Sequence, residues 1–248
     1  MKLIITFIFA LLVSVSFSQT VNKKDSQGLK QGVWKKPYKN NAAYQYIGQF
    51  KDDKPYGVFT YYYESGNVQS KITFSKGGAV GHNLMYHESS GRLMAKGKYV
   101  NQQKDSLWVY YDNKGQLKSQ ESFKNGKLNG QSVVYYEPVN GQYRVAKFTY
   151  YKDGLRHGQF KEYYPNTKVK AEGVYKDGHL NGIVKYYHGN GRMERVERYK
   201  YAVKHGWWLF YNEKGAQIGK ELFWEGTKLK PGPARDKKEA EMKAARKK

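Results

Sequence analysis

Cysteine is absent from this 248-residue chain. That absence removes disulfides, thiolate nucleophiles, cysteine-ligated zinc and lipoprotein acylation together. Acidic residues are scarce, 21 Asp and Glu against 44 Lys and Arg, for a formal net charge of +23. Such an excess favours solubility and anionic partners but does not bear on fold. Long apolar runs are also missing after the first residues, so no later segment reaches the ~20 residues a membrane-spanning helix needs. Phe and Trp, at 11 and 5, are outnumbered by 24 Tyr. Rings with one wet edge are thus preferred over rings that must be wholly buried, which points away from a thick dry core. What is abundant is glycine, 26 residues, and aromatic residues, 16% of the chain. Turns and flat rings describe a soluble, basic, tyrosine-rich β protein.

The chain begins Met1-Lys2, followed by an apolar run from Leu3 to Val13 and then Ser14-Val15-Ser16-Phe17-Ser18. Ser16 and Ser18 supply the small side chains that precede a cleavage site, so residues 1–18 are expected to be a signal peptide cut before Gln19. The apolar stretch is too short to anchor in a membrane. Export in turn argues against a cytosolic nucleic-acid role and leaves the periplasm, outer membrane or cell surface as the expected location.

Laid against itself, the sequence repeats. One aromatic closes each unit, at Phe50, Phe74, Tyr99, Phe123, Tyr151, Tyr175, Tyr199 and Phe223, with separations of 24, 25, 24, 28, 24, 24 and 24. A second series runs in step at Gly32, Gly57, Gly81, Ser106, Gly130, Gly158, Gly182 and Gly206, where Ser106 alone departs from glycine. Both series share one insertion, near Pro138 to Tyr143, which defines eight units and calls for a repeat architecture. Dipeptides such as Ser65-Gly66 and Asn190-Gly191, and later Asn125-Gly126 and Asp177-Gly178, mark two turns per unit. Each unit therefore predicts two short strands. The fold class expected is all-β, an elongated antiparallel β-hairpin repeat of about eight 24-residue units. Residues 19–27 form a short lead-in, 28–229 the repeat domain, and 230–248 a basic tail, helical or disordered.

Counting from each lead Gly or Ser orders the side chains. Five residues on stand Pro37, Tyr62, Tyr86, Tyr111, Tyr135, Tyr163, Tyr187 and Tyr211, and two residues on stand Trp34, Phe59, Asn83, Trp108, Ser132, Phe160, Val184 and Trp208. Two-residue alternation places these columns on opposite faces. Because a lone hairpin is marginal, rings stacked from unit to unit are expected to replace a conventional core.

The units Gly130 to Tyr151, Gly158 to Tyr175 and Gly182 to Tyr199, joined by Asn-Gly-Lys-Leu-Asn-Gly (125–130), Asp-Gly-Leu-Arg-His-Gly (153–158) and Asp-Gly-His-Leu-Asn-Gly (177–182), resemble MORN-type repeats. More closely they are similar to the bacterial variant grouped as the YwqK-type antitoxin family. The exported start, with such repeats, looks like secreted proteins of the Bacteroidetes group. The resemblance covers about Gly28 to Leu229 and implies a β-hairpin solenoid. It also implies scaffold roles at membranes with phospholipid contacts or, from the antitoxin label, a protein that neutralises a partner.

No catalytic constellation accompanies the repeat. His157 and His205 precede a lead glycine where Asn129 and Asn181 stand elsewhere, so they serve as turn residues. His82, His87, His179 and His188 form no metal-ligand spacing, and no cofactor is expected. Glu194 and Glu197, among Arg192, Arg195 and Arg198, suggest alternating surface charge. No nucleophile elbow or phosphate loop occurs, so the chain is expected not to be an enzyme.

Binding remains. The tyrosine column Tyr62, Tyr86, Tyr111, Tyr135, Tyr163, Tyr187 and Tyr211 is the candidate recognition surface, with lysines supplying attraction. The tail from Lys228 carries nine basic and three acidic residues, and Lys237, Lys238, Lys243, Arg246, Lys247 and Lys248 form a candidate basic handle. An exported scaffold or adaptor for an envelope protein complex is the expected function. The alternatives are a binder of anionic glycan or lipid head groups and an antitoxin or immunity-like inhibitor.

Overall fold

A computed structural model describes residues 20–39 and 41–245. The expected signal peptide and the tail residues Arg246, Lys247 and Lys248 lie outside the described residues. The eight predicted hairpins form, with strands Lys30–Pro37 and Tyr44–Lys51 in unit 1, Lys54–Tyr62 and Val68–Ser75 in unit 2, and Val80–Tyr86 and Leu93–Val100 in unit 3. Units 4, 5 and 6 follow as Gln103–Tyr111 with Leu117–Lys124, Lys127–Tyr135 with Val145–Lys152, and Leu155–Tyr163 with Val169–Lys176. In units 7 and 8 the first strand is split, with Gly182–Tyr187 and Gly206–Tyr211 as its longer parts. Their second strands are Met193–Lys200 and Gln217–Trp224. Short strands Lys23–Lys24 and Thr227–Leu229 pair at the two ends, so one open antiparallel sheet of 20 strands results. A helix, α1, covers Pro233–Ala245.

Turn chemistry explains the hairpins. Within unit 2, Gly66 N donates to the Tyr63 carbonyl at 2.9 Å and Tyr63 N to the Asn67 carbonyl at 2.9 Å, with Gly66 at φ +86. This is a four-residue turn ending in a left-handed glycine, which shifts the pairing between Tyr61 and Tyr62. The same shift recurs in all eight hairpins.

Between units the lead glycine does different work. At the junction into unit 2, Ile47 pairs with Thr60 and Gln49 with Tyr56, so three residues from Gly57, itself at φ +67, oppose Gly48 alone. The two extra residues bend the incoming strand. Ser106 takes the same left-handed conformation at φ +61 without being glycine.

The two faces carry unequal burial. On one, which we call the ring face, stand the column two residues after the lead and the closing aromatics. Phe59, Trp108, Phe160, Val184 and Trp208 are buried there. Phe59 meets Phe50 and Phe74 edge-on at 5.1 Å each, Trp108 meets Tyr99 at 4.9 Å, and Trp208 meets Phe223 at 4.9 Å. At Phe59 and Trp108 such close ring contacts are possible because glycine faces the ring on the neighbouring strand. A Cβ on Gly48 would lie 2.3 Å from Phe59, and one on Gly97 would lie 2.2 Å from Trp108. The hydrophobic core is accordingly a strip of rings on glycine rather than a space between two layers.

Candidate functional site

The tyrosine column lies on the face opposite the rings, where the alternation places it. Tyr187 Oη donates to Glu172 Oε1 at 2.7 Å, and Glu172 also faces Lys161 at 3.3 Å and Lys185 at 3.9 Å. Tyr135 Oη donates to Gln120 Oε1 at 3.2 Å. All seven tyrosines, Tyr62, Tyr86, Tyr111, Tyr135, Tyr163, Tyr187 and Tyr211, are half-buried. Burial first, then the Glu172 hydrogen bond, pushes the Tyr187 phenol up to about 12. Glu172 is held below the usual carboxylate range, chiefly by that phenol and then by Lys161 and Lys185.

One position beyond this column, sequence reasoning missed a structural link. Tyr38, Tyr63, Tyr136 and Tyr164 each donate their hydroxyl to the main-chain carbonyl of the column residue in the next unit, Tyr62, Tyr86, Tyr163 and Tyr187. His87 and His188 do the same through Nε2 to the carbonyls of Tyr111 and Tyr211, at 3.1 and 3.0 Å. The signal was present in the chain: each of these residues is the sixth after its lead, and the two histidines share that column. At Asp112 the series is interrupted, because its carboxylate accepts from Lys114 N and Gln116 N within its own turn.

Basic side chains sit on both faces. On the ring face Lys104 lies 4.5 Å from Trp108 and 5.0 Å from Phe123, and Lys204 lies 4.3 Å from Trp208. Burial pulls the Lys104 ammonium below the ordinary lysine value. These lysines cover rings with their stems while carrying charge to the surface.

Glu197 requires a correction. Rather than surface charge, it is 5% exposed on the ring face, accepting from Arg195 Nε at 2.8 Å and from Tyr199 Oη at 2.8 Å. Arg195 in turn covers the Tyr186 ring at 3.6 Å. Glu197 occupies the place held by Gly48, Gly97 and Gly173 in other units, where a facing ring would otherwise rest. A carboxylate there is tolerated because its charge is paired and hydrogen-bonded.

On the tyrosine face large apolar side chains remain exposed. Val58 and Leu107 are each 51% exposed, and Leu84, Val174 and Ile183 are also open. At the C-terminal end this face is occupied differently. Arg235 of α1 lies 4.9 Å over the Trp207 ring, Lys238 lies 4.4 Å from Trp224, and Leu222 beneath is 1% exposed. Of the predicted basic handle, Lys238 is thus engaged with a ring and with Glu241, Lys243 pairs with Glu239, and Lys237 is exposed.

Among the described residues no group of three or more His, Asp or Glu side chains is placed to hold a metal ion, and no helix is long and apolar enough to cross a membrane. No curated protein matches the chain at a significant level. One family does, under the description MORN repeat variant, at residues 55–76, 104–125 and 156–177. Each matched segment begins close to a lead residue and runs through its hairpin to the following turn. Repeats of this kind generally serve as modules that bind proteins or membranes. Three of its hairpins therefore match the MORN repeat variant, within an open ribbon of β-hairpins.

Proposed function

We propose that the protein is an exported, non-enzymatic scaffold or adaptor that holds a protein partner at the cell envelope through its tyrosine face. One observation carries this reading. The face presents Val58, Leu84, Leu107, Val174 and Ile183 to solvent in units 2, 3, 4, 6 and 7, while at its end the same face is occupied by α1 over Trp207 and Trp224. An exposed apolar strip of this kind is characteristic of an interaction surface. Half-buried tyrosines beside it supply rigid, amphipathic contact area. Lys71, Lys96 and Lys170, which alternation places on that face, are exposed and add long-range attraction for an acidic partner.

The test is capture from envelope extract by the full chain, compared with the double variant Val58→Asp, Leu107→Asp. Loss of a captured protein in the variant, with capture by the parent persisting in high salt, supports the reading. Capture that survives both aspartates but vanishes on removing residues 230–248 or on adding salt instead favours anionic glycan or lipid head groups, since screening weakens exposed ion contacts.

A further inference from the structure

The units are not equivalent, and the exception is unit 3. Its incoming strand pairs without interruption, from Ser75 with Val80 to Ser70 with Met85, and its lead Gly81 does not adopt positive φ. The two residues that form a bulge at the other junctions are here inserted in the turn. Lys76, Gly77 and Gly78 take φ of 49, 63 and 87, and four residues separate the strands where two do at Asp52-Asp53. Chain length per unit is conserved while its path changes.

This path leaves an open groove of about 830 Å³ on the ring face. Its lining includes the aromatic residues Tyr61, Phe74 and Tyr99 and the carboxamide residues Gln69, Asn83, Asn101 and Gln102. Asn83 stands where other units place Trp34, Phe59, Trp108, Phe160 or Trp208. It is 4% exposed, and its Oδ1 has no hydrogen-bond partner. A buried acceptor left unpaired costs ~1–3 kcal/mol, so this position is not optimised for packing alone. No Lys, Arg, Asp or Glu lines this groove, in a chain of net charge +23.

No charged side chain lines the groove to favour an ionic ligand. Flat rings offer apolar faces, and carboxamides offer donors and acceptors side by side. A tryptophan or tyrosine side chain from a partner would bring a single polar group and leave most of these carboxamides without partners. A sugar carries an oxygen on nearly every carbon and an apolar C–H face, which matches both features. The volume also lies within the ~300–1,000 Å³ typical of small-ligand sites. We propose that the unit 3 groove binds an uncharged saccharide, its C–H face on the ring wall and its hydroxyls on the carboxamides. The groove lies on the face opposite the tyrosine column, so this site is separate from the protein-binding surface.

Calorimetric titration of the full chain with cellotetraose, maltotetraose and tetra-N-acetylchitotetraose tests it. Saturable binding of at least one of these is expected, unchanged on raising salt to about 0.5 M because no ion pair is involved. Asn83→Phe installs the ring that other units carry and is expected to abolish binding. Gln102→Gly removes a rim carboxamide at a turn position already at φ 63 and is expected to weaken binding about fivefold. If Asn83→Phe does not fold, Gln102→Gly decides alone. Absence of saturable binding across the three sugars overturns the proposal, as do N-acetyltryptophanamide binding where the sugars fail, retained binding in a folded Asn83→Phe, and full affinity in Gln102→Gly.

Discussion

Tyr164 in unit 6 donates its hydroxyl to the main-chain carbonyl of Tyr187 in unit 7, at 2.8 Å. Because the acceptor is backbone, the link fixes the spacing of successive hairpins whatever side chain stands in the column. Six described junctions carry this bond, from Tyr38 to His188. In a ribbon where each unit touches mainly its neighbours, stability depends on such nearest-neighbour terms.

Tyr164→Phe keeps the ring and removes the bond. Urea unfolding should show a loss of ~1 kcal/mol, the usual net worth of an intramolecular hydrogen bond. An unchanged midpoint would show that the carbonyl of Tyr187 is equally well served by water.

The Glu172 site gives a pH dependence with two limbs. Glu172 titrates below its ordinary value when folded, so its contribution is present above about pH 4.5 and is lost as pH falls through the depressed value. The Tyr187 phenol titrates near 12 when folded against 10.0 ordinarily. Its contribution is present below pH 10 and is lost as pH rises towards 12. Glu172→Gln should flatten the acid limb of a thermal-midpoint profile, while Tyr187→Phe should flatten the alkaline one.

Ala202 sits at φ +65 in a two-residue turn with Tyr201 at φ +48, where the corresponding turn after unit 6 has Asp177-Gly178. Glycine adopts this conformation without a Cβ penalty. Ala202→Gly should therefore stabilise the protein by ~0.5–1 kcal/mol in urea unfolding, the reverse of the usual effect of adding glycine.

Gly97→Ala tests the ring-on-glycine core. The added Cβ would fall 2.2 Å from the ring of Trp108, which is fully buried and has little room to retreat. A destabilisation of ~1–3 kcal/mol is expected, with a shift in tryptophan fluorescence as the ring is displaced.

Much of this protein was legible from periodicity. The shared 24-residue spacing of the closing aromatics and lead glycines fixed the number of hairpins, and alternation put Phe59 and Tyr62 on opposite faces. Glycine with positive φ recurs at the turns for the same local reason, since the backbone requirement belongs to each residue alone. The tertiary structure decided what depends on pairs. Glu197 is buried because Arg195 and Tyr199 reach it across the ring face, and Tyr164 bonds a carbonyl 23 residues away. At unit 3 the two extra residues moved from bulge to turn with no change in repeat length, so spacing gave no sign of the groove. A period records how many residues separate two positions, whereas burial and pairing depend on which residue the neighbouring strand sets opposite.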